Sequence, residues 1–395
     1  MDQEMYSRHK TLPPKVWIDP KARNPRTRAI GYRLDRPRAM TEEERRWWTS
    51  PYLRMLSSPL RSCQVSKESL PADLQIRLAP MLLPAPRGAR KVQILVPDGL
   101  EHPRFRRVRN GSAIYMLCKK SFVNVMAARR NLKGVQGNIV IHSRLAEQIG
   151  HLLRIRVLQE IEILADRLQC RPTDAQDHPV LRRLSRAEWS DVRNTGVIPY
   201  EGAIALLVVP PLNKNPVTKQ RTTPSFSSTP PGETDKISAK PLPPLCVLHP
   251  TSTEGRIDED TDSPAVLPNA AVPLYNGLSL FPSRPQRAAL HAALNKLLFV
   301  ERRARWREHG RPDSDENPST SVGDTRPQKA DKWARGDQKA SHAYLLCADS
   351  ESVLRADAVP VAIALWRIRM WEGAELGYRA SPDKRWKLKM RPLPS

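Results

Sequence analysis

One run constrains the fold of this chain more than any other: Ser143 to Gln169, SRLAEQIGHLLRIRVLQEIEILADRLQ, with no proline and a single glycine. Leu145, Ile149, Leu152, Leu153, Val157, Ile161, Leu164 and Leu168 recur at steps of three and four, which places them on one face of a helix. Ser143 is a fitting N-cap, and Pro172 cannot continue the ladder. At ~1.5 Å per residue the helix would reach roughly 40 Å, enough to span a domain. It can serve as the spine of a core, or as a rod presenting Arg144, Arg154, Arg156 and Arg167 to a polyanion. Strand-like segments before it (Val92 to Val96, Ala113 to Cys118) and after it (Ala203 to Val209) each need an apolar cover. The spine reading is therefore preferred. It predicts an α+β fold, small mixed sheets packed on a long central helix over 143–169, in which Ile161→Asp unfolds the module and Arg154→Ala scarcely alters stability.

The remainder divides by composition. Only 39% of the 395 residues are hydrophobic and 38 are proline, which predicts folded segments joined by unstructured spacers. Residues 1–40 read as a basic disordered arm and 41–211 as the α+β module. Residues 212–266 read as a Pro/Ser/Thr-rich linker. A second α/β segment spans 267–380 around a disordered insert at 309–340, and 381–395 form a basic tail.

Local signals fill in the elements. Thr41 before three glutamates, and Ser185 three residues before Glu188, are helix starts. Trp47 and Trp48 read as a hydrophobic anchor or as stacking rings. Leu74 to Leu78 alternates like a strand that Pro80 should end, and Asn110-Gly111 signals a hairpin turn. Ser121 to Asn131 reads as a helix. Gly134 and Gly137 frame a short loop that is either a plain turn or a backbone clamp of the KH type. Beyond the linker, Asn276-Gly277 is a candidate turn, Arg284 to Glu308 a helix, Ala343 to Cys347 a strand and Val361 to Trp371 a helix.

The formal net charge is +24 and arginine is the commoner cation. Such an excess favours a polyanionic partner, because each neutralised phosphate releases counterions. Four groups concentrate it: Arg23, Arg26 and Arg28 in the arm; Arg104, Arg106, Arg107 and Arg109 around Phe105; Arg302, Arg303 and Arg305 at the end of the second long helix; and Lys384, Arg385, Trp386 and Lys387 in the tail. Arginine pairs phosphate through its planar fork, and neighbouring aromatic rings can stack on bases.

Signals of catalysis are missing. The sequence holds no P-loop, G-x-G-x-x-G, H-E-x-x-H or G-x-S-x-G pattern. Nine dispersed histidines and five unclustered cysteines offer no zinc spacing and no disulfide framework. The expectation is a non-enzyme without cofactor or metal. No apolar run approaches the ~20 residues of a membrane span. The N-terminal residues lack a secretory h-region; residues 10–38 are arginine-rich like a mitochondrial presequence, with acids and prolines interrupting the pattern.

In overall organisation, and in the stretch WWTSPYLRMLSSPLRSC from Trp47 to Cys63, the chain resembles proteins of fungal mitochondrial ribosomes and their gene-expression factors. The resemblance implies a mitochondrial RNA-binding component of a ribonucleoprotein, with rRNA and ribosomal proteins as partners. A nuclear DNA- or chromatin-associated factor and a protein–protein scaffold are the alternatives.

Overall fold

The computed structural model describes residues 39–84, 92–109, 111–128, 139–170, 179–214, 219–226, 242–251, 271–308 and 339–373. In chain order these form α1 (Glu42–Thr49), α2 (Pro51–Leu56), β1 (Leu60–Ser62), β2 (Ser69–Pro71), β3 (Gln75–Leu82), β4 (Gln93–Asp98), β5 (Ile114–Leu117) and α3 (Ser121–Ala128). There follow β6 (Ile139–Val140), α4 (Leu145–Cys170), β7 (Leu181–Ser185), α5 (Arg186–Thr195) and β8 (Ala203–Val208). The last group is β9 (Cys246–Pro250), β10 (Ala271–Asn276), α6 (Gly277–Leu280), α7 (Arg284–Glu308), β11 (Ala340–Cys347), α8 (Ser352–Arg355) and α9 (Val359–Glu372). The fold is α+β, with mixed sheets. The 1–38 arm, the 309–338 insert, the tail, the Gly134–Gly137 loop and much of the 212–266 linker lie outside the described residues.

The long periodic run is the central helix. Its α4 packs chiefly on α7 and α9, and it also touches β4. Its apolar positions are buried as the spacing requires, and Leu158, Ile163, Gln159 and Glu160 are buried as well, so the helix is enclosed on more than one side. Each large aliphatic side chain removed from water here contributes roughly 2 kcal/mol. The one glycine in the helix, Gly150, allows close approach: a Cβ there would stand 3.2 Å from Nε1 of Trp371 on α9.

Two arginines of α4 are not where the sequence puts them. Arg154 donates from Nε to the Leu280 carbonyl (2.7 Å), from Nη1 to the Gly150 carbonyl (3.0 Å) and from Nη2 to Glu372 (2.6 Å). Arg156 donates from Nε to the buried Glu160 at 2.5 Å. A partner at Glu372, far along the chain, turns a helix-flank arginine into a tie between elements, so the expectation that Arg154→Ala is nearly neutral is corrected.

Two main sheets flank this centre. The first has the order β5-β3-β4-β6, antiparallel except for β4 with β6. Here β3 continues through Pro80 to Leu82, past the predicted stop at Pro80. Its pairing with β5 ends at Leu78, so Pro80 is bonded only on the β4 side, and an edge position tolerates a missing N–H. The predicted hairpin at Asn110-Gly111 is also corrected: β4 and β5 both pair with β3, and the chain between them crosses it.

The second sheet has the order β7-β11-β8-β10-β9, with β8 and β10 parallel and the other pairs antiparallel. It draws β7 and β8 from before the linker and β9, β10 and β11 from within or after it. Alternation sorts its two faces. Ala205, Leu207, Tyr344 and Leu346 join the large core around α4, while Leu206, Ala343 and Leu345 join a smaller cluster with Val192 of α5. The nearest helix on β8 is α9, with α4 behind it in the same core.

Two predicted caps hold and one is corrected: α4 starts at Leu145, and at its entry the Arg144 N–H donates to Nδ1 of His142 at 3.1 Å in place of a Ser143 cap. Thr41 with Glu44, and Ser185 with Glu188, form complete capping boxes. Asn276 caps α6 instead of making a free turn, and Gly277 lies so close to the Val208 carbonyl that a Cβ would come within 2.8 Å.

Candidate nucleic-acid interface

Of the four basic groups proposed from sequence, two fall within the described residues, and Asp166 joins the loop that carries one to the helix that carries the other. Arg23, Arg26, Arg28, Lys384, Arg385, Trp386 and Lys387 lie outside those residues. Arg305 falls in α7, whose exposed side chains include Arg302 and Arg303.

The loop between β4 and β5 is anchored at both ends. Near its start the His102 N–H donates to Oε1 of Gln159 on α4 at 2.8 Å. Towards its end the Arg109 N–H donates to the buried Asp98 carboxylate at 3.2 Å, and the Arg109 carbonyl accepts from Arg77 at 2.9 Å. Arg77 also pairs with Asp98, fixing that carboxylate in place. Between these anchors Arg104, Phe105, Arg106, Arg107 and Val108 are exposed, whereas Arg109 is half-buried. The arginine quartet is thus divided: three reach solvent, and the fourth has its backbone tied into the fold.

His102 stiffens the loop. Burial, followed by Arg156, Arg167 and Arg104, holds its imidazole below the ordinary value, against an opposing pull from Glu160. The ring is therefore neutral at pH 7, and its Nδ1 accepts the Arg104 N–H at 3.1 Å. Its ring and that of Phe105 stand in a T-shaped arrangement, with centroids 6.4 Å apart and planes at 77°.

Asp166, near the end of α4, joins this loop to α7. One carboxylate oxygen pairs with Arg104 at 3.0 Å and the other with Lys296 at 3.4 Å. Along α7 the residues Lys296, Phe299 and Arg303 follow at helical spacing, and all are exposed. Arg302 is exposed beside them. A strip of cations with two phenyl rings, Phe105 at 47% and Phe299 at 64% exposure, results from elements far apart in sequence. Lys296, Asp166 and Phe299 were not singled out from the sequence. Phe299 sits in the apolar run LLFVE and reads there as core, and nothing local marks Asp166 as a bridge.

These ion pairs are solvent-facing: the side chains of Arg104 and Lys296 are 58% and 45% exposed. Pairs of this kind contribute little to stability and exchange readily for another anion. Arg106 pairs with Glu101 at 2.7 Å, and Arg107 has no carboxylate partner among the described residues. The cations of a cleft of about 380 Å³ beside α9 are differently placed. Arg54 is held by Asp357 at 2.7 Å, Arg156 by Glu160, and Arg367 donates to the Gln75 carbonyl at 2.8 Å. Two of its three arginines are thus matched by carboxylates of the fold, and the third is tied to a backbone carbonyl.

The tryptophan pair splits. Trp47 is 59% exposed, while Trp48 is partly covered by the Arg54 guanidinium at 4.4 Å. All five cysteines are free, and burial pushes Cys118 and Cys347 up to about 11 and Cys246 up to about 12, which keeps these thiols protonated. Among the described residues no helix is long and apolar enough to cross a membrane.

No family model matches this chain, and no curated protein or solved structure matches it.

Proposed function

We propose that this protein is a non-catalytic RNA-binding component of a ribonucleoprotein, with a mitochondrial ribosome or ribosome-associated complex as its setting. The observation that carries the reading is the strip at Asp166, where Arg104, Lys296 and Arg303 stand exposed and lightly engaged beside two phenyl rings. A phosphate chain is the anion such a strip suits, since affinity accumulates with each neutralised charge. The net charge of +24 and the basic arm and tail support the same partner class. The mitochondrial setting is supported by the resemblance of the 47–63 stretch.

The test is crosslinking of the tagged protein in cells, sequencing of the bound nucleic acid, and sedimentation with ribosomal subunits. Recovery of rRNA and co-sedimentation are expected. RNA no higher than background sinks the reading, and DNA in its place favours the nuclear alternative. Imaging separates mitochondrion from nucleus. A protein scaffold is the second reading, drawing on Trp47, Leu53, Leu56 and Leu60, which are 48–63% exposed within one short segment. Partners that co-purify undiminished after nuclease treatment would favour it.

A further inference from the structure

We infer that the strip at Asp166 takes single-stranded rather than duplex RNA, with Phe105 and Phe299 as base-stacking platforms. This rests on the RNA-binding reading above and adds the form of the ligand to it.

The two rings share a setting. Phe105 stands between Arg104 and the exposed Arg106 and Arg107; Phe299 stands on α7 between Lys296 and the exposed Arg302 and Arg303. Each phenyl is thus bracketed by cations, and the two brackets are neighbours, since Arg104 and Lys296 reach the same Asp166 carboxylate. A polynucleotide strand presents the complementary alternation, phosphate next to base. In a duplex the base faces are already stacked on one another, so cations on the phosphate ridge would suffice and exposed phenyls would gain little. An unpaired base offers a free π-face, and aromatic side chains beside a basic track are how such bases are held without sequence preference.

Both rings are presented on supports rather than on loose chain. Phe105 stands in a T-shaped contact with the ring of His102, whose backbone N–H donates to Gln159 of α4. Phe299 sits within a helix whose neighbouring Leu297, Leu298 and Val300 are buried. Packing that fixes those three side chains inward leaves Phe299 outward, at 64% exposure.

The experiment uses the full chain and fluorescence anisotropy with an unstructured RNA of about 12 nucleotides and a duplex of the same length. Wild type, Phe105→Ala with Phe299→Ala, and Phe105→Trp are compared over a salt series, with melting temperatures as the check on folding. The expected result is tighter binding of the single strand, a loss of about tenfold for the double alanine variant on the single strand only, an unchanged salt slope, and retained affinity for Phe105→Trp. Equal losses on both RNAs, or no loss on the single strand while binding persists, overturn the stacking assignment and leave RNA binding standing. No binding of either RNA overturns both.

Discussion

Arg154 and Arg104 carry the same guanidinium and are used in opposite ways. Arg154 is 11% exposed and joins three parts of the chain: its own helix, the Leu280 carbonyl ahead of α7, and Glu372 at the end of α9. Arg104 is 58% exposed, and its side chain pairs with a carboxylate it shares with Lys296. In a chain of net charge +24, counting cations therefore says little about which of them can meet a partner. Prior engagement decides it. An arginine whose donors are occupied by the fold contributes to stability, and one held by a solvent-facing pair remains available to phosphate.

Substitutions can break or sharpen this contrast. The largest effect is expected at the inner face: Ile161, 1% exposed, becomes a buried unpaired carboxylate in Ile161→Asp, and the protein should show no cooperative unfolding transition. Next, Arg154→Ala should lower stability by about 3 kcal/mol in denaturant titration, because Glu372 keeps only Lys120 at 3.8 Å and the Leu280 and Gly150 carbonyls each lose a donor. A loss under about 0.5 kcal/mol would erase the distinction from surface arginines. On the outer surface, Arg104→Ala combined with Arg107→Ala should leave stability within about 0.5 kcal/mol, reduce RNA affinity about tenfold at low salt and flatten the salt slope by about 2. If affinity holds, the loop is not the contact.

A smaller effect, opposite in sign, is expected for Asp166→Asn. Removing the carboxylate that holds both Arg104 and Lys296 should raise RNA affinity a few-fold, about 1 kcal/mol or less. A fall would recast Asp166 as the organiser of the strip. The smallest effect is a pH dependence. Burial is the first cause holding His102, His151, His291 and His342 below their ordinary value. Their unfolded forms take up protons near pH 6.5, before the folded ones, so the unfolded chain binds more protons as acid is added. The contribution is full above about pH 6.5 and is lost as pH falls through the lower folded values. Thermal melting should therefore drop between about pH 7.5 and pH 5.5, and an unchanged midpoint would show that these rings protonate in place.

What could be read from the sequence was what neighbouring residues specify. The three-and-four spacing of Leu145 to Leu168 located α4 to within two residues at its start, and both capping boxes needed only side chains three positions apart. Relations set across the chain were not legible. Arg154 finds Glu372 at a separation of 218 residues, and Asp166 finds Lys296 at 130. Pro80 looked like a stop because sequence does not reveal on which side of β3 the neighbouring strand ends. The 41–211 and 267–380 segments were separated by composition, yet β8 pairs with β10 and β11 from beyond the linker.

That last pairing sets an order of events during synthesis. As an apolar strand, β8 emerges long before either neighbour exists, because its second edge is closed only by β11, ending at Cys347. Both of its edges stand open until β10 arrives, and one until β11 does, a template for adventitious strand pairing. Contacts between residues so distant in sequence also slow folding, since the loop entropy must be met before the pairing stabilises anything. Nascent chains truncated ahead of β11 should consequently aggregate or engage holding chaperones, and release should coincide with the emergence of Ala340 to Cys347.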